Sequence, residues 1–180
     1  DYDFNDLVVG YRVAARLDTD GNVNGISGEG YLIARGAGYN HDWHLRIALP
    51  NTSSGSGQLS LYQPGELTLV SGYPLPVNSV GDIDIIPFPA TRQLWQDGQH
   101  EVVNTLDEQS LIKGHRFTFD INLDTPVDIS YLDDAPFDPY LYVRDTRYEI
   151  HLEGKASVHP NSRNIAEGHT SFVDSNNYPF

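Results

Sequence analysis

The segment Leu7-Val8-Val9-Gly10-Tyr11-Arg12-Val13-Ala14-Ala15-Arg16-Leu17 alternates from end to end. Leu7, Val9, Tyr11, Val13, Ala15 and Leu17 share one face, and Arg12 and Arg16 fall on the other. A period of two is the repeat of a strand with one buried face. Asp18-Thr19-Asp20-Gly21-Asn22 follows, a run of turn formers in which Gly21 is free to take φ > 0. Residues 30–35 read as the returning strand, so this part of the chain is expected to be a hairpin.

The same period recurs along the chain. Trp43, Leu45, Ile47 and Leu49 alternate up to Pro50, and 51–57 reads as a Ser/Gly loop. Shorter strands are expected at 58–62, 66–71 and 82–88, broken by Pro64, Pro74 and Pro76. Residues 111–123 form another long alternation, with Phe117, Phe119, Ile121 and Leu123 on one side. Strands at 127–132, 140–143 and 147–152 complete the set, and 156–180 is polar with weak periodicity. Residues 105–113 are the one candidate for a helical turn. No repeat or linker divides residues 1–180, so one all-β domain is expected. Its class is an antiparallel β-sandwich, jelly-roll-like, with little or no helix.

Composition narrows the function. The 180 residues carry 25 Asp+Glu against 11 Lys+Arg, a formal charge of −14. That balance argues against nucleic acid and against an anionic membrane surface. It favours a cationic partner, of which Ca²⁺ is the simplest for hard carboxylate oxygens. Cys is absent, which removes disulfides, thiolate chemistry and Cys-ligated zinc. No apolar run reaches the roughly 18 residues of a membrane span, so no membrane insertion is expected. Met is absent even at position 1, and the chain is expected to be a domain excised from a longer protein.

Asp1-Tyr2-Asp3-Phe4-Asn5-Asp6 places oxygen side chains at alternate positions, with Asp6 adding a further carboxylate. Asp1, Asp3, Asn5 and Asp6 can supply several of the roughly 6–8 oxygens that Ca²⁺ takes. The alternative is a solvated acidic terminus. This string, continued by Leu7-Val8-Val9 and Tyr11-Arg12-Val13, resembles the opening motif of the LruC-type domain of secreted and surface proteins in Gram-negative bacteria. It is also similar to the D-x-D-F-N-D-L-V string of ligand-binding modules in calcium-dependent RTX adhesins. Pro136-Phe137-Asp138-Pro139-Tyr140 and Tyr148-Glu149-Ile150-His151-Leu152-Glu153-Gly154 match later strings, and Ala34-Arg35-Gly36-Ala37-Gly38 matches loosely. After Gly38 the chain departs from the pattern, with His41-Asp42-Trp43 in place of N-G-aromatic. The resemblance implies an extracellular β-sandwich on a bacterial cell surface that binds Ca²⁺. It further implies a ligand, a peptide end or a sugar, held partly through the ion.

Two more acidic clusters stand out. Asp18 and Asp20 open a string like half of an EF-hand, with Glu29 at its twelfth position, but Val23 stands where Gly is needed and the flanks are strands. A plain hairpin turn fits it better. Asp133, Asp134 and Asp138 lie in a Pro-flanked, oxygen-rich loop that is either a metal site or a solvated turn. Glu149 and His151 share a strand face opposite Ile150 and are candidates to close a ligand site. Tyr39, His41, Asp42 and Tyr140 are the other candidate ligand contacts. Among the aromatic residues, Trp43 and Trp95 are expected to fill the core.

No HExxH or G-x-S-x-G string exists. A jelly-roll glycosidase or lyase using two of Glu29, Glu66 and Glu149 is one alternative. A passive spacer stiffened by Ca²⁺ is another. The reading adopted is a non-enzymatic, calcium-dependent adhesin domain, monomeric within a long multidomain chain. Its ligand is a peptide on a target cell, with a glycan as the runner-up.

Overall fold

The computed structural model describes residues 7–78, 82–95, 102–105, 110–132, 134, 137–152 and 155–159. Nine strands are found among them: β1 (Leu7–Leu17), β2 (Val23–Arg35), β3 (His41–Ala48), β4 (Ser54–Tyr62), β5 (Leu69–Asn78), β6 (Asp82–Phe88), β7 (Arg116–Val127), β8 (Asp138–Val143) and β9 (Tyr148–Ile150). They form a five-stranded sheet in the order β1-β2-β7-β4-β5 and a four-stranded sheet in the order β6-β3-β8-β9. Every pairing is antiparallel, so the expected all-β sandwich is what this sequence builds. Helix among the described residues is limited to two 3₁₀ turns, Thr91–Gln93 and Ile129–Tyr131.

The expected first hairpin forms, with Arg12 opposite Glu29 and Ala14 opposite Ser27, and bulges at Val8/Val9 and Arg16/Leu17. The core lies between the sheets. Trp43, Leu45 and Ile47 of β3 meet Ile26 and Leu32 of β2 and Phe117, Phe119 and Ile121 of β7 there. Trp95 is buried as well, so both tryptophans fill the core. The Phe rings need space on the neighbouring strand. A Cβ on Gly28 would stand 2.4 Å from the Phe119 ring, and one on Gly30 would stand 2.5 Å from the Phe117 ring. Glycine is therefore required at both positions.

Local expectations change at several points, and β5 and β7 run later than expected, at Leu69–Asn78 and Arg116–Val127. The run Ser54-Gly55-Ser56-Gly57, read as loop, is the start of β4. Its glycines permit close approach to β7: a Cβ on Gly55 would meet the Asn122 carbonyl oxygen at 2.2 Å. Pro74 and Pro76, read as strand breakers, lie inside β5 opposite Gln58 and Ser56. β5 is an edge strand, where a residue without N–H does not interrupt a central ladder. The strand expected at 127–132 does not form: Val127 is the last residue of β7, and the Asp128 carboxylate accepts from Ser130 N at 2.8 Å and starts a 3₁₀ turn. Of 105–113, residues 110–113 are not helical; Asn104 instead clasps Ile112 through its backbone N–H and carbonyl.

Candidate functional site

In β3 the core takes Trp43, Leu45 and Ile47, so Asp42, His44 and Arg46 face out of the sandwich. In β6 Ile83 and Ile85 face the core, and Asp82 and Asp84 face out. The register then assembles one face. Arg46 pairs with Asp84 on one side and Asp138 on the other, His44 pairs with Tyr140, and Tyr142 pairs with Glu149. An outer sheet face is normally solvated. Here His44, Asp138, Tyr140, Glu149 and His151 are all buried. The segment 155–159 lies across them. Val158 N and His159 N donate to the Glu149 carboxylate at 2.8 and 2.7 Å, and the His159 ring stacks on Tyr142 at 4.7 Å.

Beneath that strap the aromatic rings form a column. Tyr140 stacks between His44, at 4.4 Å, and His151, at 4.2 Å. His151 Nδ1 lies 2.9 Å from Asp138 Oδ1, and its Nε2 lies 2.9 Å from Glu149 Oε2. Carboxylates accept, so both ring nitrogens donate and the ring is an imidazolium. Burial pushes the His151 pKa down, but the bonds and charges of Asp138 and Glu149 outweigh it and the net direction is up. Burial pushes Glu149 up, and the donors His151, Val158 N and His159 N turn its net shift downward. Asp84 accepts from His44 Nδ1 and from the Tyr140 hydroxyl, each at 2.9 Å. Burial, then the charge of Asp84, raises the Tyr140 pKa.

The network opens at one side into a cavity of about 450 Å³ lined by Arg46, Asp82, Asp84, Ser157, Val158 and His159. Arg46 Nε donates to Asp82 at 2.8 Å, and its guanidinium lies 3.6 Å from Asp138. Four carboxylates thus face one guanidinium and one imidazolium, and a cation is the complementary guest. Among the described residues, His44 Nε2 and Ser157 Oγ are buried without a hydrogen-bond partner. Buried polar atoms are nearly always satisfied, so the orphaned hydroxyl of Ser157, which lines the cavity, marks where a guest supplies a contact.

Asp138, Tyr140, Glu149 and His151, singled out in the sequence, are brought together here. The other candidates lie elsewhere. Asp42 fastens a loop: it accepts from Ala90 N at 2.7 Å and from Arg144 Nε at 2.6 Å. That bond holds Ala90 at φ 47, a left-handed conformation uncommon for a residue with a Cβ. His41 is buried on the core side of β3, and burial, then the Arg35 charge, lowers its pKa to about 4. Tyr39 is exposed beside it, edge-on to its ring. Asp18 accepts from Asp20 N and Asn22 N, both at 2.9 Å, so its carboxylate closes the hairpin turn and Asp20 is exposed on it. The Asp134 carbonyl accepts from Phe137 N at 2.9 Å, and its side chain is exposed. Asp1, Asp3, Asn5, Asp6 and Asp133 lie outside the described residues. Among those described, no group of three or more His, Asp or Glu side chains is arranged to hold a metal. At Asp18 both backbone donors, Asp20 N and Asn22 N, reach the same oxygen, Oδ1.

His44, Arg46, Asp82, Asp84 and His159 are not among the site residues that the sequence singles out. A signal was present for four of them. Asp42-Trp43-His44-Leu45-Arg46 and Asp82-Ile83-Asp84-Ile85 alternate charge with core apolar residues. Nothing in such a pattern says that the polar face is roofed.

The sequence family described as "Domain of unknown function (DUF4842)" matches residues 21–180. No curated protein matches the chain. In structure it is similar to a "putative lipoprotein" from Bacteroides ovatus, with a TM-score of 0.64 and 14% identity over 97% of this chain. The match covers 56% of that protein's chain. At this identity the likeness concerns the fold.

Proposed function

The chain belongs to the DUF4842 family, and from the geometry of its four-stranded sheet we propose that it is a non-catalytic ligand-binding domain of the bacterial cell envelope, holding a cationic group of a peptide. One observation carries the reading: the acidic cavity at Asp82 and Asp84, backed by a buried network with orphaned polar atoms. Residues held by packing and hydrogen bonds lose little freedom on binding, which is what preorganisation means. The similar fold of the Bacteroides ovatus "putative lipoprotein" supports an envelope location. So does the resemblance of the opening motif to surface domains. Glu149 is enclosed by donors, and Glu29, on the other sheet, is held by Arg12 and Arg116, which favours binding over catalysis as the role of these carboxylates.

Selection from a random peptide library displayed on phage tests the reading. Selected peptides are expected to be enriched in Lys and Arg, and Asp84→Asn to weaken their binding at least about tenfold, the scale of one lost charge-assisted contact. Failure to select any peptide, or binding indifferent to Asp84→Asn, overturns it.

Calcium belongs to the same proposal and rests on Asp1, Asp3, Asn5 and Asp6, the oxygen-rich string that leads into β1. Millimolar Ca²⁺ is expected to raise the melting temperature, and Asp3→Ala or Asp6→Ala to erase that rise. Identical melting curves with and without chelator would remove calcium and leave the peptide site standing.

A further inference from the structure

The five-stranded sheet also has an outer face, and it is uncovered among the described residues. Its register sets three rows across the strands. Arg116 pairs with Tyr31 on one side and Tyr62 on the other, and its guanidinium lies 5.9 and 5.2 Å from their ring centres. The next row is Arg12, Glu29, Thr118 and Ser60, and the third is Ala14, Ser27, Asp120 and Gln58. A solvated sheet face ordinarily carries long side chains across its middle. Here the middle holds Ser27, Ser60 and Thr118, which leaves a polar trough of about 550 Å³.

The long side chains stand around the trough and are tied down. Glu29 receives Arg12 at 2.6 Å and Arg116 at 2.5 Å. Arg16 binds Asp120 and donates to Asn122 Oδ1 at 2.7 Å. Beyond Arg116 the face continues into a second cavity of about 420 Å³, bounded by Tyr31, Ile33, Leu67 and Leu111. Leu67 and Leu111 are each 79% exposed, and Tyr31 and Ile33 are also open to solvent. Exposed apolar side chains gathered at one cavity mark a contact surface.

We infer that this face binds a neutral oligosaccharide chain, with sugar hydroxyls in the trough and an apolar sugar face against Tyr31 and the adjoining leucines. The chemistry selects this occupant. Sugar rings present hydroxyl edges and apolar C–H faces, and the two adjoining cavities offer fixed donors and acceptors in one and apolar walls in the other. A protein partner wants an apolar centre to its interface, and this centre is Ser, Thr and Gln. A polyanion meets a chain of formal charge −14, with each arginine of the trough already paired to a carboxylate.

Native affinity electrophoresis of the full chain in gels containing dextran, mannan, xylan or galactan tests this. At least one neutral polysaccharide is expected to retard the protein. Ser60→Phe, which fills the trough, and Tyr31→Ala, on a half-exposed ring, are each expected to abolish the retardation without changing the melting temperature. Asp84→Asn, on the other sheet, is expected to leave it intact, so failure of the peptide site and of this site read separately. Retardation by none of the four polymers overturns the inference. Retardation that survives Ser60→Phe and Tyr31→Ala in folded protein overturns it too.

Discussion

Replacing His151 with alanine is expected to lower the melting temperature by about 6–20 °C. The figure comes from ~3–5 kcal/mol for removing one member of a buried ionic group, at roughly 2–4 °C per kcal/mol in a chain of this size. The imidazolium is the shared counter-charge of Asp138 and Glu149, which lie 2.9 Å from its two nitrogens. Both carboxylates are buried, so without the ring two negative charges face each other away from water. Tyr140 loses one side of its stack, and Glu149 loses the partner that orients it toward Val158 and His159. Loss of the strap follows from loss of the anchor.

The pH dependence carries the same signature. The folded-state pKa of His151 is raised above 6.5, so its contribution is complete below that value and is lost as pH rises through the folded pKa. Glu149 is lowered below 4.5, so its contribution is complete above that value and is lost as pH falls through the folded pKa. The network is therefore most stabilising between roughly pH 4.5 and 6.5. His151→Ala is expected to remove the alkaline-side decline from a series of thermal melts followed by circular dichroism. A variant melting within about 2 °C of the parent, less than 1 kcal/mol, would refute the imidazolium assignment.

Phe117→Ala is expected to cost about as much, ~3–5 kcal/mol, by a different route. The Phe117 ring lies 5.6 Å from Trp43 and 5.3 Å from Phe88, which bind it to the four-stranded sheet. It covers Gly30 on the neighbouring strand, where no Cβ can enter. Truncation leaves a hole that rigid strands on both sides cannot close. The loss is apolar, so it should shift the melting temperature by a similar amount at every pH between 5 and 8. A shift that varied with pH as in His151→Ala would mean that the two networks are coupled across β3.

The sequence was most legible where one face of a strand meets the core. The alternations in β1, β3 and β7 fix which residues point inward, and the structure places Val9, Tyr11, Trp43, Leu45, Phe117 and Phe119 accordingly. It was least legible where backbone meets backbone. Gly55 and Gly57 signal a close approach to β7, but in one dimension Ser-Gly-Ser-Gly is indistinguishable from a loop. Pro74 and Pro76 are tolerated because β5 is an edge, and edge position is a property of the sheet order.

The candidate site divides along the same line. Glu149 and His151 share a face because a strand alternates, and that follows from two residues of sequence. Their partners do not. Asp138 lies 13 residues from His151, and Asp84 lies 56 from Tyr140 and 40 from His44. Local periodicity determined which residues leave the core. Only the pairing of β6, β3, β8 and β9, with residues 155–159 laid across them, decided that these charges would meet out of water. Burial is set by what covers a face, and no pattern within the covered strands encodes the cover.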